Sequence, residues 1–96
     1  MEEWKHKVVD TSTNITTIIN VPALLRGVYI NTALSAHTVS MDDGTTTDVM
    51  VIPASATAGN YYDVEGLRFE TSLIVNPDDS STGKIMVEYR ELARHN

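Results

Sequence analysis

The sequence predicts an all-β protein, a single small antiparallel β-sandwich or jelly-roll-like barrel of about eight short strands. Three observations predict it. Thr, Val, Ile and Tyr, which suit a pleated and half-buried surface, fill the apolar segments. Gly, Asn, Asp and Pro stand between those segments as turn residues. The turn signals recur about every 8–12 residues, which is the spacing of sandwiches and barrels.

The predicted strands follow one another along all 96 residues as one domain. They are 4–9, 14–21, 24–32, 37–41, 47–52, 61–64, 67–75 and 84–90. In the third, Val28 and Ile30 share one face. The last is the clearest, because Ile85, Val87 and Tyr89 alternate with charged residues and so predict an inner face. Met86 is the apolar exception on its outer face.

The N-terminal segment is expected to form a hairpin or arm. Residues 1–21 hold the first two predicted strands, and Pro22 follows them. Proline offers no N–H to a β-ladder, so Pro22 is a natural hinge between this segment and the sandwich. The alternative is that residues 1–21 complete the sandwich of their own chain.

Three further segments are predicted from local pattern. Residues 54–60 favour a loop or a single helical turn, and residues 91–96 are the only helical candidate. Residues 65–66 predict a turn between two strands. His37 alternates with Val39 and Met41 and is therefore predicted to be a hydrogen-bonded core or interface histidine.

The composition limits the kinds of partner that the protein is expected to bind. The net charge of −6 disfavours nucleic acid, whose binding requires Lys and Arg to neutralise phosphates. No run of residues approaches the length that crosses a bilayer, so we expect no membrane partner. The first residues lack the pattern of a secretory signal, and the chain has no cysteine. Both features fit folding in a reducing cytoplasm.

The segment Ser-Thr-Gly-Lys, residues 81–84, resembles part of a phosphate-binding loop, but its context predicts a turn. A phosphate loop needs an earlier glycine where Asp78 stands, and a Ser or Thr where Ile85 stands. It also needs a helix to follow, whereas a strand is predicted here. We therefore interpret residues 78–83 as a turn in which Gly83 supplies a positive φ.

The remaining polar residues predict no catalytic site and no cofactor. The pairs Asp42–Asp43 and Asp78–Asp79 lack the alternate spacing of a calcium loop and are interpreted as solvated turn acids, although a weak calcium site stays open. The three histidines are far apart in sequence, and no cysteine or Gly-x-Ser-x-Gly nucleophile exists. We expect a protein that is not an enzyme.

Trp4, Tyr61 and Tyr62 are the aromatic residues expected to be exposed, although one of two adjacent tyrosines on a strand usually points inward. Aromatic side chains anchor protein interfaces, and on a β-sandwich they can also stack on sugars. Ordinary packing is the competing interpretation for each of them.

Three segments together resemble the small virion proteins of tailed bacteriophages, including the compact β-sandwich domains that these phages use for capsid decoration and tail assembly. They are GVYINTALSAHTVSMDDG (27–44), VIPASATAGNYY (51–62) and LRFETSLIVNPDDSSTGKIMVEYR (67–90). The shared marks are Gly27 and Tyr29, Asp43 and Gly44, Ile52 to Ala54, Gly59, Asp78 to Gly83, and Tyr89–Arg90. The resemblance covers about residues 24–90, by the turn signals.

The resemblance implies a non-enzymatic virion protein that decorates or cements the capsid surface. Its partners would be further copies of itself, such as a trimer on a capsid threefold axis, and the major capsid protein or other virion proteins. The candidate interface residues are Trp4, Ile15, Ile18, Ile19, Tyr61 and Tyr62. A tail or head-tail connector component is the alternative, and a carbohydrate-binding module with Trp4, Tyr61 and Tyr62 as its platform is the second.

Overall fold

The computed structural model describes residues 3–92, which form eight β-strands. The strands are β1 (Lys5–Asp10), β2 (Thr16–Ile19), β3 (Ala23–Thr32), β4 (Val39–Asp43), β5 (Thr46–Ile52), β6 (Tyr61–Phe69), β7 (Leu73–Pro77) and β8 (Lys84–Glu91). Residues 3–92 include no helix, and accordingly none that is long and apolar enough to cross a membrane.

The strands form two antiparallel four-stranded sheets. Sheet A has the order β1-β8-β3-β6, and sheet B has the order β2-β7-β4-β5. The pairs β1–β8, β2–β7, β3–β6 and β4–β5 are nested, so the chain is one long antiparallel hairpin rolled into two sheets. This is the jelly-roll arrangement, and the predicted all-β sandwich class is confirmed.

The core lies between the sheets and is filled by one face of each. Its largest fully buried side chains come from both sheets: Phe69, Leu25, Ile30, Met41, Ile52, Leu73, Ile85, Val28, Val39, Val75 and Val87. The predicted inner positions of β3 and β8 are confirmed, because period-2 alternation places each set on a single face. In the innermost hairpin of the nested strands, Gly44 adopts φ 58° in the two-residue turn between β4 and β5.

Residues 5–19 do not form the expected hairpin or arm. β1 pairs with β8 in sheet A, and β2 pairs with β7 in sheet B. Between them the chain is held to the segment just before β8, because Thr11 donates from N and Oγ1 to the carbonyl oxygen of Gly83 at 2.9 and 3.0 Å. This pair of bonds directs the chain from one sheet to the other, so residues 5–19 complete the sandwich of their own chain.

The predicted break at residues 65–66 is also wrong. β6 continues from Tyr61 to Phe69, and Glu65 and Gly66 have φ values of 55° and 81° within it. Two residues in the left-handed region bend a strand as a bulge does, without ending it. The turn occurs later, at residues 70–72, and β7 begins at Leu73.

Other local predictions have mixed outcomes. Residues 54–60 form a loop, anchored where Leu34 N donates to the carbonyl oxygen of Ala56 at 2.9 Å.

His37 is not in the core. It precedes β4 and is partly exposed, and its Nδ1 lies 3.5 Å from Oδ2 of Asp78. Of the helical candidate at residues 91–96, Glu91 ends β8, and residues 93–96 lie outside the described part of the chain.

Candidate functional site

An apolar row crosses all four strands on the outer face of sheet A. In the β-ladders Val8 stands opposite Met86, Met86 opposite Tyr29, and Tyr29 opposite Tyr61. Directly opposite residues point to the same side of a sheet. Val8, Tyr29 and Tyr61 are 52%, 37% and 40% exposed, and Met86 is half-buried between them. We call Val8, Met86, Tyr29 and Tyr61 the apolar row.

The Tyr61 side chain lies over Gly27, because glycine has no side chain to occupy that space. A Cβ atom on Gly27 would overlap the phenol of Tyr61 and lie 2.8 Å from the backbone oxygen of Tyr62. Glu88 stands opposite Gly27, so its carboxylate faces the Tyr61 hydroxyl. Partial burial, followed by the interaction of this hydroxyl with Glu88 and the negative charge of Glu88, raises the pKa of Tyr61 to about 12. The phenol is therefore neutral at physiological pH.

Charged residues flank the apolar row on both sides. Asp10 and Lys84 are opposite each other on one side, and His6 and Glu88 are opposite each other on the other side. Along β8 the outward positions therefore read cation, apolar, anion, from Lys84 through Met86 to Glu88. An apolar centre with a charged margin is the general anatomy of a protein interface.

Beyond the side of the row that carries His6 and Glu88, Trp4 is packed against two arginines. The guanidinium carbon of Arg90 lies 4.8 Å from the centre of the indole ring, and that of Arg26 lies 5.4 Å away. Both distances are typical of cation–π contacts. Since the half-buried indole already has these partners, it is poorly suited to be an open stacking platform for a sugar.

The outer face of sheet B is polar where that of sheet A is apolar. Asp42 is buried there, so the prediction of a solvated turn acid is wrong for this residue. Its carboxylate accepts hydrogen bonds from the Ser40 hydroxyl, from Asp48 N at 3.0 Å and from Asn76 Nδ2 at 3.0 Å. Burial alone would raise the pKa of Asp42. The three donors together lower this pKa by more than burial raises it, so the pKa lies below its ordinary value. Val51 is the exposed apolar residue on this face, opposite Ser40.

Asp43 holds the turn between β6 and β7. Its carboxylate accepts from the backbone N–H groups of Glu70 and Thr71, both at 2.8 Å, and of Ser72 at 3.3 Å. Burial raises the pKa of Asp43, and the three backbone donors lower it by more, so the pKa lies below its ordinary value of 3.8. The carboxylate of Asp43, at the end of β4, thus fixes the turn between β6 and β7.

Asp43→Asn is expected to destabilise the fold by about 1–2 kcal/mol at pH 7, because a charge-assisted acceptor is replaced by a neutral one. A depressed folded pKa stabilises above the unfolded pKa, and that stability is lost as pH falls through the folded value. The difference from wild type should therefore shrink below pH 3.8. Urea unfolding at neutral and acidic pH measures it. Asp79→Asn is the control for charge, and equal losses in both variants would contradict the role given to Asp43.

The Ser-Thr-Gly-Lys segment forms the predicted turn and leads into β8. Ser81 N donates to the carbonyl oxygen of Asp78 at 3.2 Å, and Gly83 adopts φ 114° just before Lys84 begins the strand. Beside this turn lies a groove of about 310 Å³, lined by residues 11–15 and 76–81. The residues that line it carry mainly hydroxyls, two amides (Asn14 and Asn76) and the carboxylates of Asp78 and Asp79, which disfavour a phosphate. Among residues 3–92, no group of three or more His, Cys, Asp or Glu side chains is arranged to hold a metal ion.

The six candidate interface residues from the sequence fall in different places. Ile18 is buried in the core, and Ile19 and Tyr62 pack against it from half-buried positions. Ile15 is exposed in the loop before β2 and lines the groove. Only Tyr61 belongs to the apolar row. Tyr62 and Tyr61 thus follow the expected alternation, with one ring inward and one outward.

Sequence reasoning missed the other three members of the row. Met86 was recognised as an apolar residue on an outer face, which was the available signal. Val8 shares the parity of Trp4 and His6 along β1, and Tyr29 is out of phase with Val28 and Ile30. On the outer face of its own strand each has no apolar neighbour two residues away, and only the register of the four strands brings them together.

The fold and this surface define a small jelly-roll protein with an apolar row across one outer face and a mainly polar second outer face. No protein-family model, no curated protein and no solved structure matches this chain.

Proposed function

We propose that this chain is a non-enzymatic structural protein of a tailed-bacteriophage virion, which decorates or cements the outer surface of the capsid and acts by oligomeric assembly. Its partners are further copies of itself and the major capsid protein or other virion proteins. The apolar row is the observation that carries the proposal, since it is where the fold offers a contact surface to another protein.

The row supports assembly because of its composition and position. Two tyrosines, a methionine and a valine lie side by side across the sheet from one edge strand to the other, with charged residues on both sides of the row along β8. Tyr and Met are enriched at interface cores, where they bury large areas. Tyr61 also packs closely over Gly27, which restricts its side chain and so reduces the entropy lost on binding.

The hydrogen-bonded carboxylates near sheet B support a structural role. Asp42 and Asp43, the acids with the most hydrogen-bond donors, hold together the network of sheet B and the β6–β7 turn. These carboxylates stabilise loops and are already fully engaged. The jelly roll is also a fold used by viral capsid proteins, and the resemblance over about residues 24–90 points to virion proteins. Because folds host many functions, the fold supports the proposal without deciding it.

The test is to find the protein in particles. Virions are produced from the phage or prophage that encodes the chain, purified on a density gradient and analysed by mass spectrometry. We expect its peptides to co-purify with the major capsid protein at a constant ratio across the gradient. Cryo-electron microscopy of the same particles should then show a small β-sandwich on the outside of the shell.

Each other outcome has a definite meaning. Density in the tail or at the neck would replace decoration by the tail or connector role. Peptides that remain with soluble lysate proteins, and are absent from gradient-purified particles, would contradict a virion role. Saturable binding of the free protein to a glycan array would then favour the carbohydrate-binding module.

A further inference from the structure

We propose that a second copy of this chain covers the outer face of sheet A, in a two-fold, face-to-face dimer whose axis runs along the apolar row. This inference deepens the proposed function and rests on it, because it names the surface through which the protein assembles. The axis lies between sheet A of one copy and sheet A of the other, and it is perpendicular to the strands. Each row residue then packs near its own counterpart.

Charge complementarity selects this arrangement. A two-fold axis along the row exchanges the two margins, so the side that carries Asp10 and Lys84 faces the side that carries His6 and Glu88. Lys84 of each copy then stands opposite Glu88 of the other, and Asp10 opposite His6. The oppositely charged pair Lys84 and Glu88 therefore meets on both edges of the row, because an isologous contact forms each pair twice.

The size of the face limits the area that the dimer can bury. The four strands of sheet A have 6, 8, 10 and 9 residues. Strands of this length, about 27 Å long and about 4.8 Å apart, present roughly 500 Å² per copy, or roughly 1,000 Å² in the pair. This is near the lower limit of specific interfaces. We therefore infer a reversible, concentration-dependent dimer in solution.

The outer face of sheet B does not offer the same match. Ser40, Asp42, Asp48 and Asn76 bond to one another there, so their polar groups are already satisfied within the sheet. Val51 is 44% exposed on β5, the edge strand of sheet B, much as Val8 is 52% exposed on β1, the edge strand of sheet A. These two valines provide a matched pair of variants.

Sedimentation velocity of the full-length chain, from about 10 µM to about 1 mM, tests the dimer. The weight-average mass of wild type should rise with concentration towards twice that of the monomer. Val8→Lys puts a charge at the end of the apolar row and should raise the dissociation constant at least about tenfold. Val51→Lys, the same substitution on the other face, should leave the dissociation constant unchanged.

A charge exchange tests the two-fold geometry itself. Lys84→Glu and Glu88→Lys should each weaken the dimer, because each places like charges opposite one another across the axis. The double variant K84E/E88K restores opposite charges across the axis and should dimerise more tightly than either single variant, although it loses the contacts of Glu88 with Tyr61 and of Lys84 with Asp10 within each copy. Circular dichroism and thermal unfolding of each variant confirm that the monomer is folded, so a loss of mass reports the interface.

Three results would overturn the inference. They are a wild type that stays monomeric at the highest concentration, equal losses in Val8→Lys and Val51→Lys, and a trimer of the kind implied by the sequence resemblance. None of these contradicts the virion proposal, which depends on co-purification with particles. Conversely, a dimer with the expected variants in a protein absent from particles would keep this interface and remove the proposed function.

Discussion

Removal of residues 1–21 is expected to unfold the protein. The deletion takes β1 from sheet A and β2 from sheet B, and with them Val9 and Ile18 of the core. β8 and β7 would become unpaired edges, and the core would open to water along both sheets. A domain of this size has little stability to spare, so we expect no cooperative transition.

Circular dichroism and two-dimensional NMR of the truncated chain measure this outcome. We expect poor dispersion of the amide signals and binding of a hydrophobic dye. A truncation of residues 1–3 ends before β1 and is the matched control, which should retain the wild-type spectrum. A folded, well-dispersed domain lacking residues 1–21 would instead mean that this segment is an arm, as its sequence led us to expect.

Phe69→Ala is expected to destabilise the protein by about 3–5 kcal/mol, the usual cost of removing a buried aromatic ring. Phe69 ends β6, is fully buried and stands opposite Ala23, a small residue that cannot fill the cavity. Chemical denaturation measures the free energy of unfolding.

The neighbouring residue provides the control for Phe69→Ala. Arg68 points outward, and its Nε lies 2.7 Å from Oε1 of Glu70, with both side chains 61% exposed. An exposed ion pair contributes little, so Arg68→Ala should cost well under about 1 kcal/mol. A larger loss for Arg68→Ala than for Phe69→Ala would mean that the two faces of β6 are assigned the wrong way round.

The sequence was most informative where the signal is local. In β8, Ile85 and Val87 are buried as their alternation predicted, because the side-chain period of a strand depends on the strand alone. The turn at Asp43 and Gly44 was likewise predictable, since a glycine is needed where φ is positive. These elements require no knowledge of a distant partner.

The sequence was least informative where pairing is non-local. Val8 and Val9 are adjacent apolar residues, and only the register of β1 against β8 decides that Val9 is buried and Val8 exposed. The apolar row could not be found for the same reason, since its four members lie on four strands. The bulge at Glu65 and Gly66 was taken for a turn because both have the same local chemistry.

The nested pairing of the strands also determines the order in which the chain can fold. The β4–β5 hairpin closes over two residues, whereas Asp10 must find Lys84 across most of the chain. Long-range pairings pay the cost of loop closure before they gain contacts, so we expect slow folding that spreads from the hairpin towards the termini. During synthesis β1 and β2 emerge first, yet they remain unpaired until β8 and β7 have been made. The interval before sheet closure is when β2, with Ile18 and Ile19, is exposed to aggregation or to chaperones.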